Sequence, residues 1–238
     1  MHVLLVRHGE SYVNLDGWDK GYIDAGLTKL GKKQAEQVAN WLAQRVQIAA
    51  LYTSTMARTL ETTAYLTQAT GLTAIQDDRL REFGNCYADA SPVPAETMPI
   101  QYAHFWGTER PFTPIDDKGG ESWLLFRVRV GQFLDDLIVK YGDSTNSNDP
   151  EQTDQTVVVV CHGGVIEAVF DNLFNVGPHR RVEIWIHNTG IVHWEYKPRP
   201  NREPWRLHAH GMVHHLMADN DEWLGAKPML RDAARKTT

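Results

Sequence analysis

The 238-residue sequence predicts an α/β protein: a three-layer sandwich whose mainly parallel central sheet is flanked by helices. Three observations predict it. Short β-branched runs at Val3–Val6, Ile48–Tyr52 and Val157–Val160 read as buried strands. Helical apolar spacing fills the intervals between them, and such alternation favours parallel strands covered on both faces. The first and last of these runs end in histidine followed by glycine, Arg7-His8-Gly9 and Cys161-His162-Gly163-Gly164, the pattern of a strand opening into a ligand crevice.

Taken in order, Val3–Val6 gives way to a polar loop reaching Asp24. Thr28 is then a candidate N-cap for a helix running to Arg45, with Leu30, Ala35, Val38, Leu42 and Val46 on its apolar stripe. Ile48–Tyr52 is the second strand, ending at Thr53-Ser54, and Ala57–Thr70 a second helix closed by Gly71. Thr73–Gln76 reads as a weak strand. Residues 88–118, rich in proline and aromatics, follow neither period and read as an insertion, a lid over the strand ends. Ser122–Tyr141 is a long helix with Trp123, Phe126, Val130, Phe133, Leu134 and Leu137 on its apolar face, and 143–156 a polar loop. After Val157–Val160, segments near 182–187 and 191–196 flank Asn188-Thr189-Gly190 and predict a hairpin. One domain over 1–238 is expected.

The bulk properties narrow the function. A net charge of −6 disfavours nucleic acid or an anionic membrane as partner, so any bound anion must be held by a local positive cluster. No stretch reaches the roughly 20 apolar residues of a membrane span, and two cysteines, Cys86 and Cys161, without CxxC spacing fit a reducing compartment. A cytoplasmic location is expected. Between the two histidine-bearing strand ends falls Ser54-Thr-Met-Ala-Arg58, a strand end running into a helix start. Two arginines, two histidines and helix-terminal amides at one sheet edge make a phosphate site.

These pieces occur in an order that resembles the histidine phosphatase superfamily, the phosphoglycerate mutase-like clan, in its first branch. The matching residues are Arg7-His8-Gly9-Glu10-Ser11 with Asn14; Gly21-Tyr22-Ile23-Asp24 leading to Leu27-Thr28-Lys29-Leu30-Gly31 and Gln34-Ala35; Ser54, Arg58 and Thr62; Leu80-Arg81-Glu82; Gly119-Gly120-Glu121-Ser122; and His162 to Ile166. The resemblance covers roughly residues 3–170. It implies a phosphomonoesterase that needs neither metal nor other cofactor and acts on a small phosphorylated substrate through a phosphohistidine. His8 is then the nucleophile, Glu82 the acid and base, and Arg7, Arg58 and His162 the groups that neutralise phosphoryl charge, with Asn14 and Gly163 as further phosphate donors. A neutral imidazole suits the task, because a dianionic phosphate repels an anionic nucleophile. Its second nitrogen must then donate to a fixed acceptor. Glu121 competes with Glu82 for the acid role; Ser11 and Thr62 read as scaffold, and Cys161, turned away from His162 by strand alternation, as core.

The sequence departs from the pattern after Glu82. Phe83-Gly84-Asn85-Cys86-Tyr87 replaces the short Gly-x-Trp-Glu-Gly segment of family phosphatases, and position 85 lacks the tyrosine of true mutases. The insertion carries Arg110 and Lys118 against Asp89, Glu96, Glu109, Asp116 and Asp117, so a second strongly anionic group is disfavoured. Tyr87, Tyr102, Phe105, Trp106 and Phe112 point either to singly phosphorylated, partly apolar substrates or, equally, to packing of the insertion onto the core. Mutase-type phosphotransfer is the alternative, and a non-catalytic phosphate-binding module a weaker one. A zinc hydrolase built from His208, His210, His214 and His215 is disfavoured, since no carboxylate or cysteine stands at ligand spacing. Self-association is left open.

Overall fold

The computed structural model describes residues 1–16, 18, 24–95, 110–115, 119–142, 155–179 and 182–217. The centre of the predicted lid, with Tyr102, Phe105 and Trp106, and most of the 143–156 loop lie outside the described residues, as do Gly21–Ile23.

The elements are β1 (His2–Arg7), α1 (Lys29–Arg45), β2 (Ile48–Thr53), α2 (Ala57–Thr70), β3 (Ile75–Gln76), α3 (Trp123–Tyr141), β4 (Thr156–Cys161), α4 (Gly163–Leu173), β5 (Ile191–Tyr196) and β6 (Trp205–Met212). They build one six-stranded sheet in the order β3-β2-β4-β1-β5-β6. The first four strands of that order are parallel, and β5 and β6 are antiparallel additions on the β1 side.

Period-two alternation sorts the apolar side chains into two cores. Val3, Leu5, Val157, Val159 and Cys161 face one layer, where α3 contributes Phe126, Val130, Phe133 and Leu137 and α4 contributes Ile166, Val169 and Phe170. Leu4, Val6, Leu51, Val158 and Val160 face the other, covered by Val38 and Leu42 of α1 and Leu66 of α2. Strands buried on both faces need an unbroken apolar run, and each fully buried side chain of this kind contributes about 1.5–3 kcal/mol. Local signals set the helix ends. Thr28 and Ser122 accept from the backbone N–H three residues on, at Gly31 and Leu125, and Gly71 closes α2 with φ +73°.

Two expectations need correction. The segment 182–187 is not a strand: Ile191–Tyr196 pairs with Trp205–Met212 instead. The apolar alternation of 182–187 has another cause. Ile186 is buried and Ile184 packs on the core, while the Ile186 carbonyl accepts from Arg7 Nη1, so its backbone serves a side chain. The second is an addition: α4, whose paired glycines at the start hide its helical character in the sequence. No helix among the described residues is long and apolar enough to cross a membrane.

Candidate active site

The parallel register Arg7↔Cys161 places the residues after β1 and β4 side by side. His8 N–H donates to the Cys161 carbonyl at 3.0 Å, and the His8 and His162 rings stand 5.2 Å apart edge to face. On the other side of β4, Ser54 N–H donates to the Val160 carbonyl at 3.0 Å, so the end of β2 reaches the same level. The sheet order alone therefore lines up Ser54, His162 and His8 along one edge.

The protonation of His8 follows from its neighbours. Arg58 Nε–H donates to His8 Nε2 at 3.1 Å, and an arginine can only donate, so Nε2 carries a lone pair. The ring proton sits on Nδ1, 2.7 Å from the Gly9 carbonyl, which can only accept. The fixed acceptor that the sequence could not identify is thus the next residue's backbone. Burial, followed by the charges of Arg58 and Arg7, drives the His8 pKa well below the ordinary histidine value against the raising pull of the Gly9 carbonyl.

The loop carrying His8 is held by close packing. A Cβ on Gly9 would lie 2.5 Å from the Gly31 carbonyl oxygen, and one on Gly31 would lie 1.8 Å from that of Glu10. Gly9 N–H donates to Thr62 Oγ1 at 3.0 Å, while Glu10 accepts from Thr28 Oγ1 at 2.7 Å at the start of α1. Behind the ring, the His8 carbonyl accepts from Thr189 N–H at 3.2 Å and Asn188 Nδ2 at 3.0 Å.

Arg58 is buried at the start of α2, with its Nη1 3.9 Å from Asp24 Oδ1; burial pulls its pKa down to about 10, so it stays charged at neutral pH. Asp24 also accepts from Ala57 N–H at 2.6 Å and so caps α2. Arg7 Nη1 donates to Ile186 O, while Arg7 Nε is buried without a hydrogen-bond partner. His162 Nε2 lies 2.9 Å from Ser54 Oγ, and its Nδ1 is likewise buried and unpartnered. Burial, then Arg58, depresses the His162 pKa well below its usual value. Buried polar atoms are normally satisfied, so the Arg7 Nε donor and the His162 Nδ1 nitrogen are two open positions at one crevice.

Glu82 bridges to the start of α4. Its Oε2 accepts from Gly164 N–H at 3.2 Å and its Oε1 from Phe83 N–H at 2.9 Å, and its charge acts on both Arg7 and Arg58. Glu121 does not compete. It forms a buried bidentate pair with Arg129, Oε2 to Nε at 2.8 Å and Oε1 to Nη2 at 2.7 Å. Arg129 in turn donates to the Arg79, Arg81 and Glu82 carbonyls, so the pair holds the Glu82 loop from behind. Arg81 holds the continuation through Asn85 O at 3.1 Å and Val93 O at 3.0 Å.

The structure thus gathers Arg7, His8, Arg58, Glu82 and His162, with Gly163 at the first position of α4, where a Cβ would stand 3.8 Å from Arg7 Nε. Asn14 stands apart. It is exposed, and its Oδ1 accepts from Ser11 N–H and Oγ, both at 3.1 Å, and from Asn188 Nδ2 at 3.3 Å. Cys161 faces the core with its thiol pKa pushed up by burial. Tyr87 packs on Met56 and Val93, which is a structural role, whereas Phe112 is 67% exposed. Arg129 carries no signal in the sequence, and the contacts of Ser54 with His162 and of the Asn188-Thr189 turn with the His8 carbonyl are not legible there. Of the four C-terminal histidines, His208 meets Glu195, His210 the ring of Phe170 and His215 Thr189, so these three do not converge, and His214 opens the 3-10 turn His214–Leu216.

An α/β sheet whose central strands deliver two histidines and an arginine to one edge defines a phosphate-handling enzyme fold. The profile of the histidine phosphatase superfamily, branch 1, matches residues 3–207, and the chain belongs to that family. It is similar to phosphoserine phosphatase 1 of Hydrogenobacter thermophilus, 30% identical over 73% of this chain and 76% of that one. It is also similar to phosphoglycerate mutase-like protein 4 of Arabidopsis thaliana, 27% identical over 90% and 86%. In three dimensions it resembles a mycobacterial glucosyl-3-phosphoglycerate phosphatase with a TM-score of 0.66 and 23% identity, over 89% of this chain and 99% of that one.

Proposed function

We propose that this protein is a metal-independent phosphomonoesterase that passes the phosphoryl group through His8. The observation that carries the reading is the fixed tautomer of His8, which leaves an Nε2 lone pair against the buried Arg58 and within reach of the charge of Arg7. His8 Nε2 attacks phosphorus and the bond to the ester oxygen breaks, with Glu82 supplying the proton that the leaving oxygen takes. Glu82, now a carboxylate, takes a proton from water, which attacks the phosphohistidine and releases inorganic phosphate.

Arg7, Arg58 and His162 receive the equatorial oxygens, for which Arg7 Nε and His162 Nδ1 are the open positions. Gly163, in the first turn of α4, adds a backbone N–H at a helix N-terminus. Asn14 supplies its amide from the rim. The substrate is a small phosphomonoester. The likeness to a phosphoglycerate mutase-like protein supports a second reading, isomerisation through the same phosphohistidine.

The test is p-nitrophenyl phosphate turnover by wild type and His8→Ala, with and without EDTA, joined to an alkaline quench that preserves phosphohistidine. EDTA-resistant turnover and an acid-labile phosphoprotein, both lost in His8→Ala, are expected. Turnover surviving in the variant overturns the assignment. Isomerisation of monophosphoglycerate outrunning its hydrolysis, with a bisphosphoglycerate primer, selects the mutase.

A further inference from the structure

At the opposite end of β1 from His8, three more histidines meet on adjacent strands. His2 opens β1, His193 lies on β5 and His208 on β6, and the sheet order β1-β5-β6 puts His193 in the middle. Their ligand nitrogens all lie within 4.8 Å of one another. His2 Nδ1 and His193 Nε2 are 3.0 Å apart, and the His193 and His208 rings stack with centroids 4.7 Å apart. Along the chain His2 and His8 are six positions apart, about 20 Å at the rise of an extended strand.

We infer that His2, His193 and His208 form a site for one divalent transition-metal ion of the zinc class, structural rather than catalytic. Imidazole suits zinc, copper and nickel as a ligand. Two nitrogens on one tetrahedral zinc, each at about 2.0–2.1 Å, stand about 3.3 Å from each other. The His2–His193 pair, at 3.0 Å, is within a few tenths of an ångström of that separation, and the third nitrogen, within 4.8 Å, belongs to a side chain that is 42% accessible and so has room to turn in. Two ring nitrogens 3.0 Å apart share one proton at most, so a lone pair is present there.

Glu195 completes the arrangement from behind. Its Oε2 lies 3.0 Å from His208 Nε2, and a carboxylate oxygen accepts, so the proton is on Nε2 and the Nδ1 lone pair is left for the ion. A carboxylate that orients a metal-bound histidine in this way strengthens the site. Glu195 is itself matched by Arg199 at 3.2 Å and Arg206 at 3.7 Å, so water rather than Glu195 fills the fourth position. The ion would tie β1 to the two antiparallel strands on the side of the sheet where no parallel neighbour supports it.

The experiment is calorimetric titration of the untagged full chain with Zn2+, together with Co2+ titration followed by visible absorption. One ion per chain at micromolar affinity or tighter, a tetrahedral-type cobalt band and a raised melting temperature are expected. His208→Ala, at an exposed position, should weaken binding at least 30-fold, and Glu195→Gln about 10-fold. His214→Ala should leave it unchanged, and the circular dichroism melt of each metal-free variant reports its folding. Wild-type binding no tighter than millimolar, or His208→Ala binding like wild type, overturns the inference. EDTA should leave phosphomonoester turnover intact even as it strips this ion, so the outcome is separable from that of the His8 experiment.

Discussion

Arg58 Nε and His8 Nε2 are joined by one 3.1 Å hydrogen bond, so the guanidinium proposed to hold the phosphoryl group also dictates which nitrogen of the proposed nucleophile is free to attack. Charge and orientation are therefore separable. Arg58→Ala should lower kcat/KM about 10²–10³-fold. Arg58→Lys restores a cation without the planar fork, and steady-state kinetics should show it recovering only a minor part of that loss. Full recovery would mean that charge alone matters at this position.

Acid should unfold the protein through its buried histidines before it silences His8. The folded pKa values of His8 and His162 lie well below 6.5, and those of His193 and His215 are pulled to about 4, in each case chiefly by burial. The unfolded chain then binds more protons than the folded one below the unfolded value of about 6.5. Stability is fully present above that pH and falls as the pH drops, by up to about 1.4 kcal/mol per pH unit for each such group. Urea unfolding between pH 7.5 and 5 should show this fall, while kcat/KM between pH 7 and 6 should show no loss from protonation of His8. A midpoint that does not move with pH would contradict the burial argument.

The Glu121–Arg129 pair is proposed to position Glu82 rather than touch substrate. Both side chains are at most 2% accessible, and breaking such a pair leaves a charge buried and alone. Glu121→Gln should cost about 3–5 kcal/mol in thermal unfolding. Below the melting temperature the loss should fall on kcat, with KM little changed, because the phosphate-holding groups stand on other elements. A rise in KM with constant kcat would refute the positioning role.

Two glycine substitutions should separate packing from backbone strain. In Gly9→Ala the new methyl meets a carbonyl oxygen at 2.5 Å, so the His8 loop must move and turnover should collapse. In Gly71→Ala nothing lies within 4 Å of the methyl, but φ is +73°, which costs about 1–2 kcal/mol. That variant should melt earlier and turn over normally.

The parts of the fold that the sequence disclosed were those written in local patterns. Val157–Val160 could only be a strand buried on both faces, and Thr28 announced its helix by capping, whereas Ser122 reads as the first helical residue and proves to be the cap. The hairpin at 182–196 misled because burial of Ile184 and Ile186 imitates strand alternation, and the partner of β5 lay downstream of the next proline-rich turn. The residues now gathered at the site were legible, since a histidine-glycine pair after an apolar strand is local information. The Arg129 grip on three loop carbonyls was not, because a helix-face arginine looks the same whether it meets water or backbone.

The central ladder of the sheet joins the start of the chain to its last third, Val3 to Val157 through Arg7 to Cys161. A growing polypeptide carries His8, Arg58 and Glu82 long before Thr156 exists, yet the edge on which they meet is made only when β4 slots between β1 and β2. Closing a loop of that length is among the slower events of folding. Regain of turnover after dilution from denaturant is thus a clock for this one insertion, and a nascent chain halted before β4 is inert although most of its chemistry has already been synthesised.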